Sequence, residues 1–249
     1  CGVLPDENRF PRRFASRETV LEEVEGSLRR LQVETIDLYQ LHWPEPDENV
    51  EEAWQTLLDL QEQGKIRWPG VSNYATAQLD RAAAIGPITS LQPRYSLLNR
   101  QIEEEGQIDW CRENQCGIVC YSPMESGLLT GKVTREWIDH LPENDWRRHK
   151  QADHPVASLL RPPKLEPFLQ LVDRLREIAE PSDHTVSQLA VAWTLRRPEV
   201  SSAIVGARRS GQIAETVQAA EWSLGQAEQD AATAAVDAFH LAIREKDGS

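Results

Sequence analysis

The chain has 249 residues, 40% of them hydrophobic and 27% charged, a globular composition with enough length for one large core or two modest ones. Its formal net charge of −13 argues against a nucleic-acid partner, because a phosphate backbone calls for a basic stripe. No run approaches the roughly 18–20 uninterrupted apolar residues of a membrane span, so the sequence reads as a soluble protein without a membrane partner.

Ser16 is placed to cap a helix whose apolar residues Leu21, Val24, Leu28 and Leu31 follow one stripe of a helical period. An apolar strand over 36–42 follows and stops at Trp43-Pro44. Residues 49–63 return to helix, with Val50, Ala53, Trp54, Leu57 and Leu58 on one side and Gly64 at the end. The strand over 66–72 contains Pro69, which belongs at an edge or bulge because proline removes a ladder donor. A helix over 76–85, a strand over 88–92, a helix over 101–115 and a strand over 117–122 come next. The acidic run 103–105 reads as a solvated helix face. Residues 132–163 hold Trp137 and Trp146 without a clear period. Helices over 165–179 and 186–196, a strand over 200–205, a helix over 210–220 and an Ala-rich helix over 226–243 complete the chain.

Strands alternating with helices predict parallel βαβ units. No strand leads into G-x-G-x-x-G or G-x-x-x-x-G-K-[ST], the usual doubly wound nucleotide signatures. Polar residues instead close successive strands: His42, Ser72-Asn73, Gln92, Tyr121-Ser122 and Gly206 to Arg208. Barrel enzymes build their sites at those ends, so the α/β fold expected is a (β/α)8 TIM barrel, although five strands are readable where a barrel has eight. The thiols Cys1, Cys111, Cys116 and Cys120 match no standard zinc spacing and are too few for a disulfide framework. They read as small buried side chains in a reducing cytoplasm, with no metal.

Seven segments, in order, carry a resemblance. They are Ile36-Asp37-Leu38-Tyr39-Gln40-Leu41-His42-Trp43-Pro44, Gly64-Lys65-Ile66-Arg67, Gly70-Val71-Ser72-Asn73, Gln92-Pro93, Tyr121-Ser122-Pro123-Met124, Gly127-Leu128-Leu129-Thr130-Gly131-Lys132 and Val205-Gly206-Ala207-Arg208. Together they resemble the aldo-keto reductases, in the bacterial branch that is also similar to potassium-channel β subunits, and the likeness covers nearly the whole chain. It implies one barrel domain over 1–249 that reduces aldehydes or ketones with NADPH, without metal. Of the family's catalytic Asp, Tyr, Lys and His, only the His is present, as His42. The resemblance puts the other three ahead of Cys1, in the first two βα units and third strand, on the order of 70 residues. The chain then reads as the C-terminal three-quarters of a barrel, a fragment inactive alone.

By the same resemblance His42 holds the carbonyl oxygen for attack, whereas read alone a histidine at a strand end is as well a structural residue. Trp43 walls the substrate pocket, and the loop over 132–163 shapes it. Ser72, Asn73 and Gln92 clasp the nicotinamide carboxamide and Tyr121 stacks beneath the ring; their other reading is turn chemistry and core packing. Ser122, Met124, Gly127, Leu129, Gly131 and Lys132 form a glycine-bearing loop whose N–H groups and cation suit phosphate. Gly206 and Arg208, at a strand-to-helix turn, suit the 2′-phosphate of NADP(H). Gln212, Glu215 and Thr216, which stands where the family often has Asn, face the adenine. The alternative is an NADP(H)-binding regulatory or interaction subunit without catalysis. A barrel hydrolase using His42 as base lacks a paired carboxylate or nucleophile.

Overall fold

Ser16 caps the first helix as its position predicts. In the computed structural model, which describes residues 1–5, 11–149 and 154–247, the Thr19 N–H donates to the Ser16 hydroxyl at 3.3 Å. The Ser16 N–H donates to the Thr19 hydroxyl at 2.9 Å. The reciprocal pair satisfies donors that a first helical turn leaves unpaired.

The chain divides into two compact units. The first comprises residues 1–94, 101–121 and 199–202. It opens with an antiparallel pair, β1 (Val3–Pro5) and β2 (Pro11–Arg13), which no sequence pattern announced. There follow α1 (Arg17–Leu31), β3 (Ile36–Leu41), α2 (Val50–Glu62), β4 (Ile66–Ser72), α3 (Thr76–Ala83) and β5 (Ser90–Gln92). Next come α4 (Gln101–Glu104), α5 (Gln107–Glu113) and β6 (Gly117–Tyr121). Strands β3 to β6 pair in parallel in chain order. The strand β7 (Val200–Ile204) joins beyond β6, where the Ile118 N–H donates to the Glu199 carbonyl at 2.8 Å.

Three expectations need correction here. The buried stripe of α1 runs through Val20, Val24 and Leu28, while Leu31 is 60% exposed, so the helix is rotated from the expected face. The helix expected over 101–115 is two, because Gly106 at φ +84° interrupts it; glycine is the residue that adopts this conformation at little cost. Pro69 does not break β4. In a parallel ladder a residue's N–H and C=O face the same neighbour, and the Pro69 carbonyl accepts from Thr89 N–H at 3.2 Å. The donor it lacks therefore faces the segment ahead of Ser90, where β5 has not begun.

Trp54 of α2 is fully buried and its indole N–H donates to the Gly86 carbonyl at 3.2 Å. Tyr39, Leu41, Val71 and Leu91 are buried in the sheet, whereas the register partners Leu38 and Trp68 are exposed. The thiols of Cys111, Cys116 and Cys120 are buried and unbridged. A hydrogen bond with Cys116, and then burial, push the Cys111 thiol up.

The second unit comprises residues 95–100, 122–198 and 203–249. Its 3-10 segment Glu125–Thr130 leads to three short helices, α6 (Arg135–Asp139), α7 (Trp146–His149) and α8 (Pro155–Ser158). These occupy the stretch without a period, of which residues 150–153 lie outside the described residues. Then come α9 (Leu165–Ala179), α10 (Val186–Leu195), α11 (Gln212–Val217) and α12 (Gln226–Asp247). Val186 to Thr194 are all buried. Trp193 is fully buried against Tyr95, ring centroids 5.5 Å apart, and the Arg196 guanidinium lies 3.3 Å over it. Helix α9 packs on α12 through Phe168 and Phe239. No helix among the described residues is long and apolar enough to cross a membrane, and no group of three or more His, Cys, Asp or Glu there could hold a metal ion.

Candidate active site

In the first unit the C-terminal ends of β3 to β6 gather the polar residues the sequence singled out, and one run of hydrogen bonds connects them. The Tyr121 hydroxyl donates to Asn73 Oδ1 at 3.0 Å. Asn73 Nδ2 donates to the His42 carbonyl and to Ser72 Oγ, each at 3.0 Å. Ser72 Oγ donates to the Gln92 carbonyl at 2.6 Å. Asn73 adopts φ +61°, a left-handed conformation that asparagine tolerates better than most residues. It turns the chain out of β4 and directs the side chain back over the strand end.

Counting capacities shows what remains for a ligand. Both Asn73 amide hydrogens are committed, so Asn73 offers only the remaining accepting capacity of Oδ1. Ser72 is buried and acts through its neighbours. Gln92 Nε2 donates to Gln40 Oε1 at 2.8 Å, and Gln40 Nε2 donates to Ser90 Oγ at 3.0 Å. Gln40 is the member the sequence reading missed. Its signal was a polar residue inside an apolar strand, two positions before His42.

His42 follows β3 directly, its N–H donating to the Cys1 carbonyl at 2.9 Å. Its ring reaches solvent and lies 6.1 Å from that of Trp43, nearly parallel. Partial desolvation, with a further contribution from the positive charge of Arg13, holds its imidazole below the usual histidine range. His42 is therefore neutral at neutral pH, with one ring N–H to donate. The Arg13 guanidinium lies 3.4 Å over the Trp43 ring and pairs with Glu45 at 2.8 Å.

In the second unit the segment expected as a phosphate loop is tighter than its glycines suggested. Gly127 and Gly131 have φ +93° and +73°. The N–H groups of Glu125, Gly127 and Leu129 are spent on Ser122 and Met124 carbonyls, and the side chains of Met124 and Leu129 are buried. Ser122 is half-buried and Lys132 exposed. Two anchors hold this segment that the sequence did not signal. Buried Glu125 accepts from Ser96 Oγ at 2.6 Å. Arg147 Nη1 donates to the Ser126 carbonyl at 3.2 Å while its guanidinium lies over the Trp137 ring. Arg147 is itself held by Asp145, which accepts its backbone N–H and Nε at 2.9 Å and its Nη2 at 2.6 Å.

The turn after β7 leaves Gly206 and Arg208 exposed. Helix α11 starts only at Gln212 and has 6 residues, so the segment after Gly206 is a loop and offers guanidinium groups rather than a helix terminus. Gln212 Oε1 accepts the Arg208 N–H at 2.9 Å, which shapes the loop, and Glu215 is exposed. Thr216 does not fit an adenine contact. It is buried and its hydroxyl donates to the Gln212 carbonyl at 2.9 Å.

The Aldo/keto reductase family matches residues 6–237. Aldo-keto reductase YhdN of Bacillus subtilis is 35% identical over 218 residues, covering 87% of this chain and 63% of that protein. A putative voltage-gated potassium channel subunit beta of Schizosaccharomyces pombe is 32% identical over 213 residues, 83% of this chain and 60% of its own length. Among solved structures, the glycerol dehydrogenase AKR11B4 from Gluconobacter oxydans superposes with a TM-score of 0.84 at 32% identity, over 95% of this chain and 70% of that one. The chain thus spans about three-fifths of the length of these curated relatives.

Proposed function

From the premise that this chain belongs to the aldo/keto reductase family, an oxidoreductase family with the (β/α)8 barrel type of fold, we propose that the complete protein reduces an aldehyde or ketone to an alcohol with NADPH. The observation that carries the reading is the hydrogen-bonded run from Tyr121 through Asn73 and Ser72 to Gln92 beside His42. It leaves Asn73 and Gln92 each a carboxamide oxygen able to accept, and two acceptors suit the two hydrogens of a primary amide such as that of nicotinamide.

When bound, NADPH supplies the hydride that the carbonyl carbon receives. Asn73 and Gln92 hold the nicotinamide carboxamide, with Ser72 bracing both, and Tyr121 gives the ring a flat support. His42 donates its ring N–H to the carbonyl oxygen and so orients the carbonyl for attack. Trp43 bounds the substrate on one side. In the second unit Arg208 takes the 2′-phosphate, which favours NADPH over NADH because a guanidinium grips phosphate by charge and paired donors. Gly206, Gln212 and Glu215 accompany it at the adenine end. Lys132, with Ser122 and the backbone of Gly131, serves the remaining phosphates, while Met124, Gly127 and Leu129, whose backbone groups are spent on one another, shape the segment. The reading assigns the family's Asp, Tyr and Lys, and with them the proton donor, to the part of the relatives' length that this chain does not span.

The test is loss of NADPH absorbance when the full-length protein meets a panel of aldehydes and ketones. Turnover with NADPH supports the reading. NADPH binding without turnover of any carbonyl would favour an NADP(H)-binding regulatory subunit instead, a reading to which the channel-subunit relative lends weight. Absence of cofactor binding would sink both.

A further inference from the structure

Gly70 lies inside β4 without the left-handed backbone that calls for glycine. Its need is space. A Cβ there would meet Ser90 Oγ at 2.3 Å, the Ser90 carbonyl oxygen at 2.9 Å and Gln40 Cγ at 3.1 Å. Gln40, Gly70 and Ser90 are register partners in one row across β3, β4 and β5. The Gln40 side chain crosses that row over the bare glycine, bonds Ser90 on the far strand, and accepts from Gln92 Nε2.

We propose that Gln40 is a positioning residue that fixes which prong of the Gln92 carboxamide faces the cofactor, and so selects a carboxamide over a carboxylate on the pyridine ring. The proposal rests on the cofactor reading above. An unrestrained glutamine rotates about a broad, two-fold terminal torsion and offers donor or acceptor with little preference. Held by Nε2 on Gln40, Gln92 turns its Oε1 away from that bond. An acceptor there welcomes an amide N–H and repels a carboxylate oxygen. Gly70 makes the crossing possible, and Ser90 anchors its far end.

The test compares binding of NADP+ and its nicotinic acid analogue, which carries a carboxylate in place of the amide, to the full-length protein. Gln40→Leu is expected to reduce the preference for the amide about tenfold, the scale of one hydrogen bond. Gln40→Glu, which accepts from Gln92 as the native residue does, retains the preference. Gln40→Lys can only donate; it turns Gln92 the other way and lowers the preference further. Binding of 2′,5′-ADP, which lacks the pyridine ring, stays the same throughout. Losses shared by all three ligands, or variants that rank without regard to donating or accepting, would overturn the proposal. Gln92→Leu separates the layers. If it leaves the preference intact, the cofactor reading of Gln92 falls; if it abolishes a preference that the Gln40 variants keep, only the role of Gln40 falls. Should the Gln40 variants melt early, Ser90→Ala removes the anchor instead, and an unchanged preference there overturns the proposal.

Discussion

Asp145→Asn probes the ion pair that ties residues 145–147 to the glycine-bearing segment. The Asp145 carboxylate accepts three bonds from Arg147, and each of the two side chains is only 9% exposed. These bonds, with a smaller contribution from the charge of Arg208, hold the Asp145 carboxyl at about 2, against 3.8 for an ordinary aspartate. A difference of that size corresponds to about 2 kcal/mol of stability at neutral pH. Because the folded value lies below the unfolded one, the contribution is complete above the ordinary aspartate value. It is lost as pH falls toward the folded value. Asparagine keeps the shape and some of the hydrogen bonding but removes the charge, leaving Arg147 buried without its counter-ion. Urea unfolding followed by tryptophan fluorescence should show the variant about 2 kcal/mol less stable near pH 7, with the gap roughly halved near pH 3. A gap that stays constant between those conditions, or a loss below about 0.5 kcal/mol at neutral pH, would refute the reasoning.

Arg208→Ala should cost about 1.5–3 kcal/mol of NADPH affinity, the scale of a charged hydrogen bond, and little for NADH. Calorimetric titration with both cofactors checks this, and equal losses would remove the 2′-phosphate assignment. Gly70→Ala should destabilise the first unit by about 1–3 kcal/mol, since it forces a methyl group onto Ser90; an unchanged melting temperature would contradict the close approach. His42→Ala in the full-length protein should lower kcat/KM on the order of a hundredfold, as loss of a donor to a reacting oxygen does, with cofactor affinity unchanged. A comparable weakening of NADPH binding would move His42 from the carbonyl to the cofactor.

The alternation of strands and helices was legible because its signals are local. An apolar run stopped by Pro44, or a helix beginning after Ser16, is decided within a few residues, and the bounds of β4 and α9 coincide with the sequence reading. What failed depends on more than local pattern. Three-residue strands such as β1 and β2 are too short to show a period. Gly106 sits within an apolar pattern that continues through it, and glycine in a helix costs only about 1 kcal/mol, so pattern alone does not decide whether the helix breaks. In α1 two overlapping stripes were available. The cap fixes where the helix starts, but packing fixes its rotation, and packing chose Val20 over Leu31.

The site divides along the same line. Which residues close the strands was legible; which of their atoms are already spent was not. Asn73 reads as a donor and acceptor until His42 and Ser72 take both its hydrogens. Gly127 reads as a phosphate cradle until its N–H is found on the Met124 carbonyl. Thr216 reads as an adenine contact until it is buried. Gln40 is the strongest case, because its partners lie 50 and 52 positions away in sequence. A shift of one residue in register between β3 and β4 would send its side chain to the other face of the sheet. Only the observed row Gln40, Gly70, Ser90 turns a glutamine, a glycine and a serine, each commonplace by itself, into a bridge. What Gln92 has left to offer a ligand therefore depends on how neighbouring strands consume one another's polar atoms, which residue identities at the strand ends do not encode.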